Sequence, residues 1–271
     1  MSPHLHLTIT PAAPQSVIPP TAHRNQLNAR IPNRNGFERS IPRWKRWLDL
    51  SLIVLTALIW LPLIGAISYG IRMISPGPVF FRQRRIGLGG RPFTILKFRS
   101  MKVDAETLTH EQYLQRLMQS DLPMTKLDPS DRRLIPLGHL LRASGLDELP
   151  QIFNVIAGQM SLVGPRPCTD LEYASYKRCQ RKRVNAPPGL TGYWQVHGKN
   201  KTTFNRMIAM DVLYARRMSL GLDLDILART LPVLFQQTFS AIASRWQRLR
   251  QKETISTSQA TANNVTTPSH E

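Results

Sequence analysis

A stretch of 22 residues without a charge, "LSLIVLTALIWLPLIGAISYGI" from Leu50 to Ile71, limits what this chain can fold into more than any other feature. As straight helix it measures roughly 33 Å at about 1.5 Å per residue, enough to cross the hydrocarbon of a bilayer. Two features speak against a plain crossing. Cations flank both ends: Arg39, Arg43, Lys45 and Arg46 before, and Arg72, Arg82, Arg84, Arg85 and Arg91 after. A crossing helix leaves its Lys/Arg excess on the cytoplasmic side, so matched flanks suit a segment that enters and leaves by one face. Pro62, just past the midpoint, has no N–H for the carbonyl of Leu58, and its ring crowds that turn, which predicts a kink or break there. Proline also occurs in helices that do cross, so a re-entrant hairpin is favoured while a spanning helix stays open. Either way the bulk of the chain belongs on the basic, cytoplasmic side.

The 271 residues, 42% of them hydrophobic, suffice for one sizeable domain or two small ones with a buried core. Lys and Arg number 36 against 17 Asp and Glu, a formal charge of +19, which favours nucleic acid, an anionic membrane face or phosphorylated substrates. Cys168 and Cys179 make neither a disulfide framework nor a Cys-x-x-Cys site, so a reducing cytoplasmic setting is the default. The scattered histidines include no His-x-x-x-His pair, which speaks against zinc. The first forty residues mix Pro, Asn, Arg and Ala without an apolar period and without a secretory signal; they read as a disordered tail. The division is therefore a tail over 1–40, a membrane segment over 41–75, a cytoplasmic domain over 76–240 and a polar tail over 241–271. The expected fold is α+β and mostly helical: a membrane-embedded re-entrant helix hairpin, then a cytoplasmic domain with a small β-hairpin and surface amphipathic helices.

Within the soluble part, Val79–Phe81 and Phe93–Phe98 are β-prone around Gly87-Leu88-Gly89-Gly90, which predicts a hairpin. The glycines form no phosphate-binding fingerprint and belong to the turn. Alternation puts Lys97 and Arg99 on one strand face, either solvated or in contact with phosphate. Glu111–Ser120 and "LIPLGHLLRASG", closed by Gly145, read as helices. A further helix is expected from Asp147, with Leu149, Ile152, Phe153 and Ile156 at helical spacing, Pro150 in the first turn and Gly158 as its stop. Locally Asp147-Glu148 is a capping pair, since Asp is a good N-cap and a second carboxylate complements the helix dipole. Arg166, between two prolines, stands on a stiff backbone suited to phosphate or to a plain surface turn. Lys177, Arg178, Arg181, Lys182 and Arg183 read as a solvated, membrane-facing helix surface. "PPGLTGYWQVHGKN", with Trp194, Gln195 and Lys199, reads as an irregular loop. Leu220, Leu224, Leu227, Leu231 and Leu234 trace an amphipathic helix that packs on the core or lies along the bilayer.

In order along the chain stand "KRWLDL", the Pro-containing apolar helix, "FRQRRIG", "KFRSM", "LRASGLDELPQIFNVIAGQMSLVGPRP", "PPGLTGYWQVHGK" and "MDVLYARRMSLGLDLDIL". From about Arg43 to Phe239 this series resembles the bacterial sugar transferase family, the monotopic phosphoglycosyl transferases, in its short form without the additional membrane helices and nucleotide-binding-like domain of long members. The resemblance implies transfer of a sugar 1-phosphate from a UDP-sugar to undecaprenyl phosphate with release of UMP. That is the first membrane step of exopolysaccharide, capsule or O-antigen synthesis, at the bacterial inner membrane with the catalytic domain in the cytoplasm. Downstream glycosyltransferases then count as partners and nucleic acid does not. The resemblance also implies that Asp147 attacks the β-phosphorus, that Glu148 handles protons and that Mg²⁺ binds near Asp147. It assigns phosphate contacts to Lys97, Arg142, Arg166 and Lys199 and a supporting acidic role to Asp211. A carboxylate with an ordinary pKa of about 4 is ionised at neutral pH, so meeting a diphosphate requires a cation and basic side chains around it. A nucleophile at a helix N-terminus also has backbone N–H groups nearby, so capping and chemistry are compatible. Two positions depart from the family pattern. Leu61 stands where Ser often precedes the proline, leaving the break to water or Thr56, and Lys199 stands where many members have Arg, which keeps the charge and loses the fork. The alternative carried by charge alone is a non-catalytic basic scaffold, anchored to the membrane and binding anionic lipid.

Overall fold

The computed structural model describes residues 40–103, 117–118, 120, 122–123, 131, 133–198, 202–233, 236, 239 and 243. Most of the helix expected over Glu111–Ser120, almost all of the two expected tails, and Lys199 lie outside the described residues.

Two helices open the described chain, α1 (Arg43–Leu55) and α2 (Ala57–Ile74). The interruption between them falls at Thr56, and Pro62 lies inside α2, so the break expected at Pro62 is displaced by six residues. The proline ring crowds the turn that precedes it, and the chain adjusts upstream. There Trp60 Nε1 donates to the carbonyl of Ile53 at 2.9 Å, and the Thr56 hydroxyl donates to that of Leu52 at 2.7 Å. Thr56 supplies the hydroxyl that Leu61 does not. By length and composition α2 can cross a membrane. One stripe of it, Trp60, Ile64 and Ile71, is buried in a cluster with Phe98, Ile135, Leu141, Ile152 and Val155. The opposite surface is bare: Leu58 is 89% exposed and Ile59 70%.

The flanking cations turn out to have two destinations. Lys45 is fully buried, ion-paired with Asp223 and donating to the Tyr214 hydroxyl at 3.0 Å. Arg46 donates to the carbonyls of Val155 and Ile156, and Arg85 is buried as well. Asp49 accepts from Ser161 Oγ and from the Leu162 N–H, both at 3.0 Å. Part of the basic flank therefore fastens α1 to the body of the protein.

The hairpin is present, with β1 (Phe80–Ile86) antiparallel to β2 (Pro92–Phe98) in the register Phe80↔Phe98 to Ile86↔Pro92, around a 3-10 turn at Leu88–Gly90. Arg99, just beyond β2, is buried and donates to the carbonyls of Ser75 and Pro76, at 2.7 and 2.8 Å, so it clamps the exit of α2. Next come α3 (Gly138–Ser144), a 3-10 turn at Leu146–Glu148 and α4 (Gln151–Ile156). Further along, β3 (Ser161–Val163) pairs in parallel with β4 (Gly189–Thr191), and α5 (Asp170–Ser175) lies between them in sequence. A Cβ at Gly189 would collide with the Gly164 backbone, so this pairing needs glycine. The segment expected as an irregular loop is thus β4 followed by α6 (Tyr193–Gly198); its Gly/Pro content serves close backbone approach rather than irregularity.

The basic run also differs from expectation. Gln180–Asn185 is a 3-10 helix in which Lys182 points outward and Arg183 is buried. Finally α7 (Phe204–Arg217) and a helix over 220–233 close the core. Ile226 is buried with Val163, Ala186 and Tyr214, while Leu220, Leu224 and Leu231 stay exposed on the same helix.

Candidate active site

Gly145 ends α3 in the left-handed region (φ 77°) and turns the chain directly into the 3-10 turn that carries Asp147 and Glu148. Neither carboxylate caps a helix. No side chain caps the 3-10 turn, and α4 starts three residues after its end, behind Pro150, again without a side-chain cap. Pro150 has no N–H to satisfy at that position, which relieves the pair of the capping role expected for it.

Asn154 fixes where this turn sits. From α4 its Oδ1 accepts from the Leu96 N–H at 3.0 Å, and its Nδ2 donates to the Thr94 carbonyl and to Gln159 Oε1, each at 2.7 Å. The amide thereby holds α4 against β2, and the next residue of that strand, Lys97, donates to Glu148 Oε1 at 2.8 Å. The Lys97 and Glu148 side chains are 22% and 37% exposed, so a solute can reach them. Asp147 is half-buried beside them on the same turn. The hydrogen bonds of Arg133, with a smaller pull from Arg142, half-buried in the last turn of α3, hold the Asp131 carboxyl at about 2.

A second cluster surrounds Arg166. Its Nη1 donates to Glu172 Oε1 at 2.7 Å, and Arg85 Nη1 lies 3.7 Å from Glu172 Oε2. Arg183 Nη2 donates both to Asp211 and to the Arg166 carbonyl, the latter at 2.8 Å, and Arg183 Nη1 donates to the Tyr176 hydroxyl. Burial alone would push Glu172 up; Arg166 and Arg85 outweigh it and hold the carboxyl at about 2. Burial pushes Asp211 up to about 6 against the pull of Arg183. Burial, with Arg166 adding to it, lowers Arg85 to about 10, while Glu172 and, more weakly, Glu148 oppose that fall. Arg85 therefore lies within electrostatic reach of both clusters.

Of the residues singled out in the sequence, Lys97 and Glu148 are bonded to each other, with Asp147 adjacent. Arg166 is held by Glu172, and Asp211 acts one layer behind it through Arg183. Asn154, Glu172, Arg85 and Arg183 went unrecognised. For Glu172 a local signal exists: Thr169-x-x-Glu172 is a capping-box pattern, and the structure forms it. Among the described residues no group of three or more His, Cys, Asp or Glu could hold a metal ion. The donors on the turn are two neighbouring carboxylates, one of them engaged by Lys97. That set fits an ion such as Mg²⁺, which takes one or two carboxylates and completes its shell with substrate phosphates and water.

The family described as bacterial sugar transferase matches residues 40–237. A UDP-glucose:undecaprenyl-phosphate glucose-1-phosphate transferase of Xanthomonas campestris pv. campestris is 44% identical over 198 residues, covering 70% of this chain and 38% of the relative. Galactosyl transferase CpsE of Streptococcus agalactiae serotype III is 38% identical, covering 72% of this chain and 42% of the relative. Exopolysaccharide production protein ExoY of Sinorhizobium fredii is 33% identical, covering 75% of this chain and 91% of the relative. The chain thus spans about two fifths of the first two relatives and nearly all of the third. The matched range takes in the apolar helix, the Asp147-Glu148 turn and the Arg166 loop, and the chain belongs to the bacterial sugar transferase family.

Proposed function

We propose that this protein transfers a sugar 1-phosphate from a UDP-sugar to undecaprenyl phosphate, giving undecaprenyl-diphosphate-sugar and UMP. The carrying observation is the carboxylate pair on one turn, with Lys97 bonded to Glu148 at 2.8 Å from the facing strand. The names of the relatives point the same way, two as undecaprenyl-phosphate or galactosyl transferases and one as an exopolysaccharide production protein.

An oxygen of Asp147 attacks the β-phosphorus. The bond from that phosphorus to the bridging oxygen breaks, and UMP leaves with the bridging oxygen and its electron pair. The sugar phosphate is now an acyl phosphate on Asp147. An oxygen of the acceptor phosphate then attacks the same phosphorus, the electron pair returns to the Asp147 carboxylate, and any proton on the acceptor passes to Glu148. In this reading Lys97 supports negative charge gathering on the phosphorus oxygens, with Arg142 and Arg166 as further phosphate contacts. Mg²⁺ held at Asp147 together with the diphosphate would offset the donor's charge. Splitting the transfer in two lets one pocket serve a soluble donor and a lipid acceptor in turn.

The acceptor is a lipid, and the bare apolar surface of α2 and the exposed leucines of helix 220–233 suit a protein seated on the inner membrane with its catalytic part in the cytoplasm. Trp60, near the start of α2, and Ile71, near its end, both pack on the same soluble body, which supports re-entry over crossing. A cysteine placed beyond Pro62 and labelled only from the periplasm would contradict re-entry. The scaffold alternative loses support, because Lys45, Arg85, Arg99 and Arg183 face inward and are engaged by protein groups.

Incubation with UDP-sugar alone, followed by intact mass measurement, should show a sugar-phosphate adduct that is absent from Asp147→Asn. An unmodified protein that still turns over with both substrates would refute the covalent route. A panel of UDP-sugars scored by UMP release identifies the donor.

A further inference from the structure

Glu172 is completely buried, and no step of the proposed reaction uses it. Its carboxylate is fixed independently of any ligand. As the third residue of α5 it accepts from the Thr169 N–H while Thr169 Oγ1 accepts from the Glu172 N–H at 3.1 Å, a complete capping box. The same carboxylate takes Arg166 Nη1 at 2.7 Å. The backbone beneath Arg166 is held just as firmly. Arg183 donates to the Arg166 carbonyl at 2.8 Å, Arg85 to the Pro167 carbonyl at 3.2 Å, and the Gly189 N–H to the Pro165 carbonyl at 2.9 Å. Three guanidiniums converge here on two carboxylates, Glu172 and Asp211. One positive charge is in excess. Only Arg166 brings it toward solvent, with its side chain 23% exposed against 5% for Arg85 and 1% for Arg183.

Resting on the reaction proposed above, we propose that Glu172 is a positioning residue: it grips the Arg166 guanidinium by one edge so that the rest of the fork meets the diphosphate of the donor. Arginine binds phosphate through two parallel N–H groups, a geometry lost when the plane rotates. Misplacement of a binding group by about 1 Å can cost ~10²-fold in rate. The pull of Arg166 and Arg85 also keeps Glu172 ionised at any working pH.

The test is a double-mutant cycle on the full chain in detergent, with donor kcat/KM, acceptor KM and thermal unfolding as readouts. Glu172→Gln keeps the capping box, because Gln accepts the same N–H, and removes the charge. Alone it should lower donor kcat/KM by about 10- to 100-fold and leave acceptor KM unchanged. In an Arg166→Ala background it should change donor kcat/KM by less than about twofold, since the group it positions is gone. An equal loss in both backgrounds, or no loss in the wild-type background, would overturn the role. Should the Gln variant not fold, Glu172→Asp enters the same cycle: it keeps the charge but withdraws it from Arg166, and the same two outcomes decide. Wild-type UMP release and its absence in Asp147→Asn are measured alongside. A wild type without release overturns the reaction itself, whereas an active wild type with an additive cycle overturns only the role of Glu172.

Discussion

Lys97–Glu148 and Arg183–Asp211 are both cation–carboxylate pairs in one small protein, and they do different work. The first joins β2 to the 3-10 turn with both side chains partly exposed; the second is sealed, each side chain 1% exposed, with Arg183 also bonded to Tyr176 and to the Arg166 backbone. In a wet setting an ion pair contributes little to folding and stays available to exchange partners, as a phosphate-binding lysine must. In a dry setting removal of one partner strands a charge, so the pair cannot be exchanged and acts as framework. The proposed reaction draws on both: exchangeable charge near the reacting phosphorus, and rigid charge behind it that fixes the arginine.

Substitutions can break or sharpen that contrast. Asp147→Asn should lower turnover by at least ~10⁴-fold, as loss of a nucleophile does elsewhere, with thermal unfolding close to wild type. Asp211→Ala, in the sealed cluster, should show the reverse emphasis, with folding stability falling by about 3–5 kcal/mol in denaturant titration as Arg183 loses its partner. Acid should separate the clusters too. The folded pKa of Glu172, about 2, lies below its ordinary value of 4.5, so in that window the unfolded chain binds more protons. The stability Glu172 contributes is therefore complete above pH ~4.5 and is lost as pH falls through ~2, amounting to about 3 kcal/mol. Glu172→Gln should flatten that part of the pH–stability curve. Lys97→Ala should cost ~10²-fold in donor kcat/KM while unfolding shifts by less than about 1 kcal/mol; a large loss of stability would place Lys97 with the framework instead. At the small end, Arg229→Ala removes an exposed i,i+4 pair with Asp225 and should change stability by at most about 0.5 kcal/mol.

The sequence and the structure diverge where a residue's partner is remote. Lys45 is read from its neighbours as a flank of the membrane segment, yet its partner is Asp223, 178 positions away. Arg183 looks like one cation in a solvated run until Asp211, 28 positions further on, closes over it. Asn154 carries no motif that marks it as the tie between α4 and β2; only the approach of Leu96 and Thr94 gives it that task. Pro62 illustrates the other kind of divergence: α2 runs on through it, and the break lies six residues upstream, where the Trp60 and Thr56 side chains take up the carbonyls of Ile53 and Leu52.

By itself the sequence determined the apolar segment and its capacity to enter a bilayer, the hairpin with its glycine turn, the helix closed by Gly145, and the family with its acidic pair. Those features depend on composition, on periods of two and near four, and on residues contiguous in the chain. Tertiary structure alone decided which cations stay within reach of solvent and which are consumed as framework. A charge's role depends on how much water remains around it and on which carboxylate the fold brings within hydrogen-bond distance, and neither is encoded in its immediate neighbours.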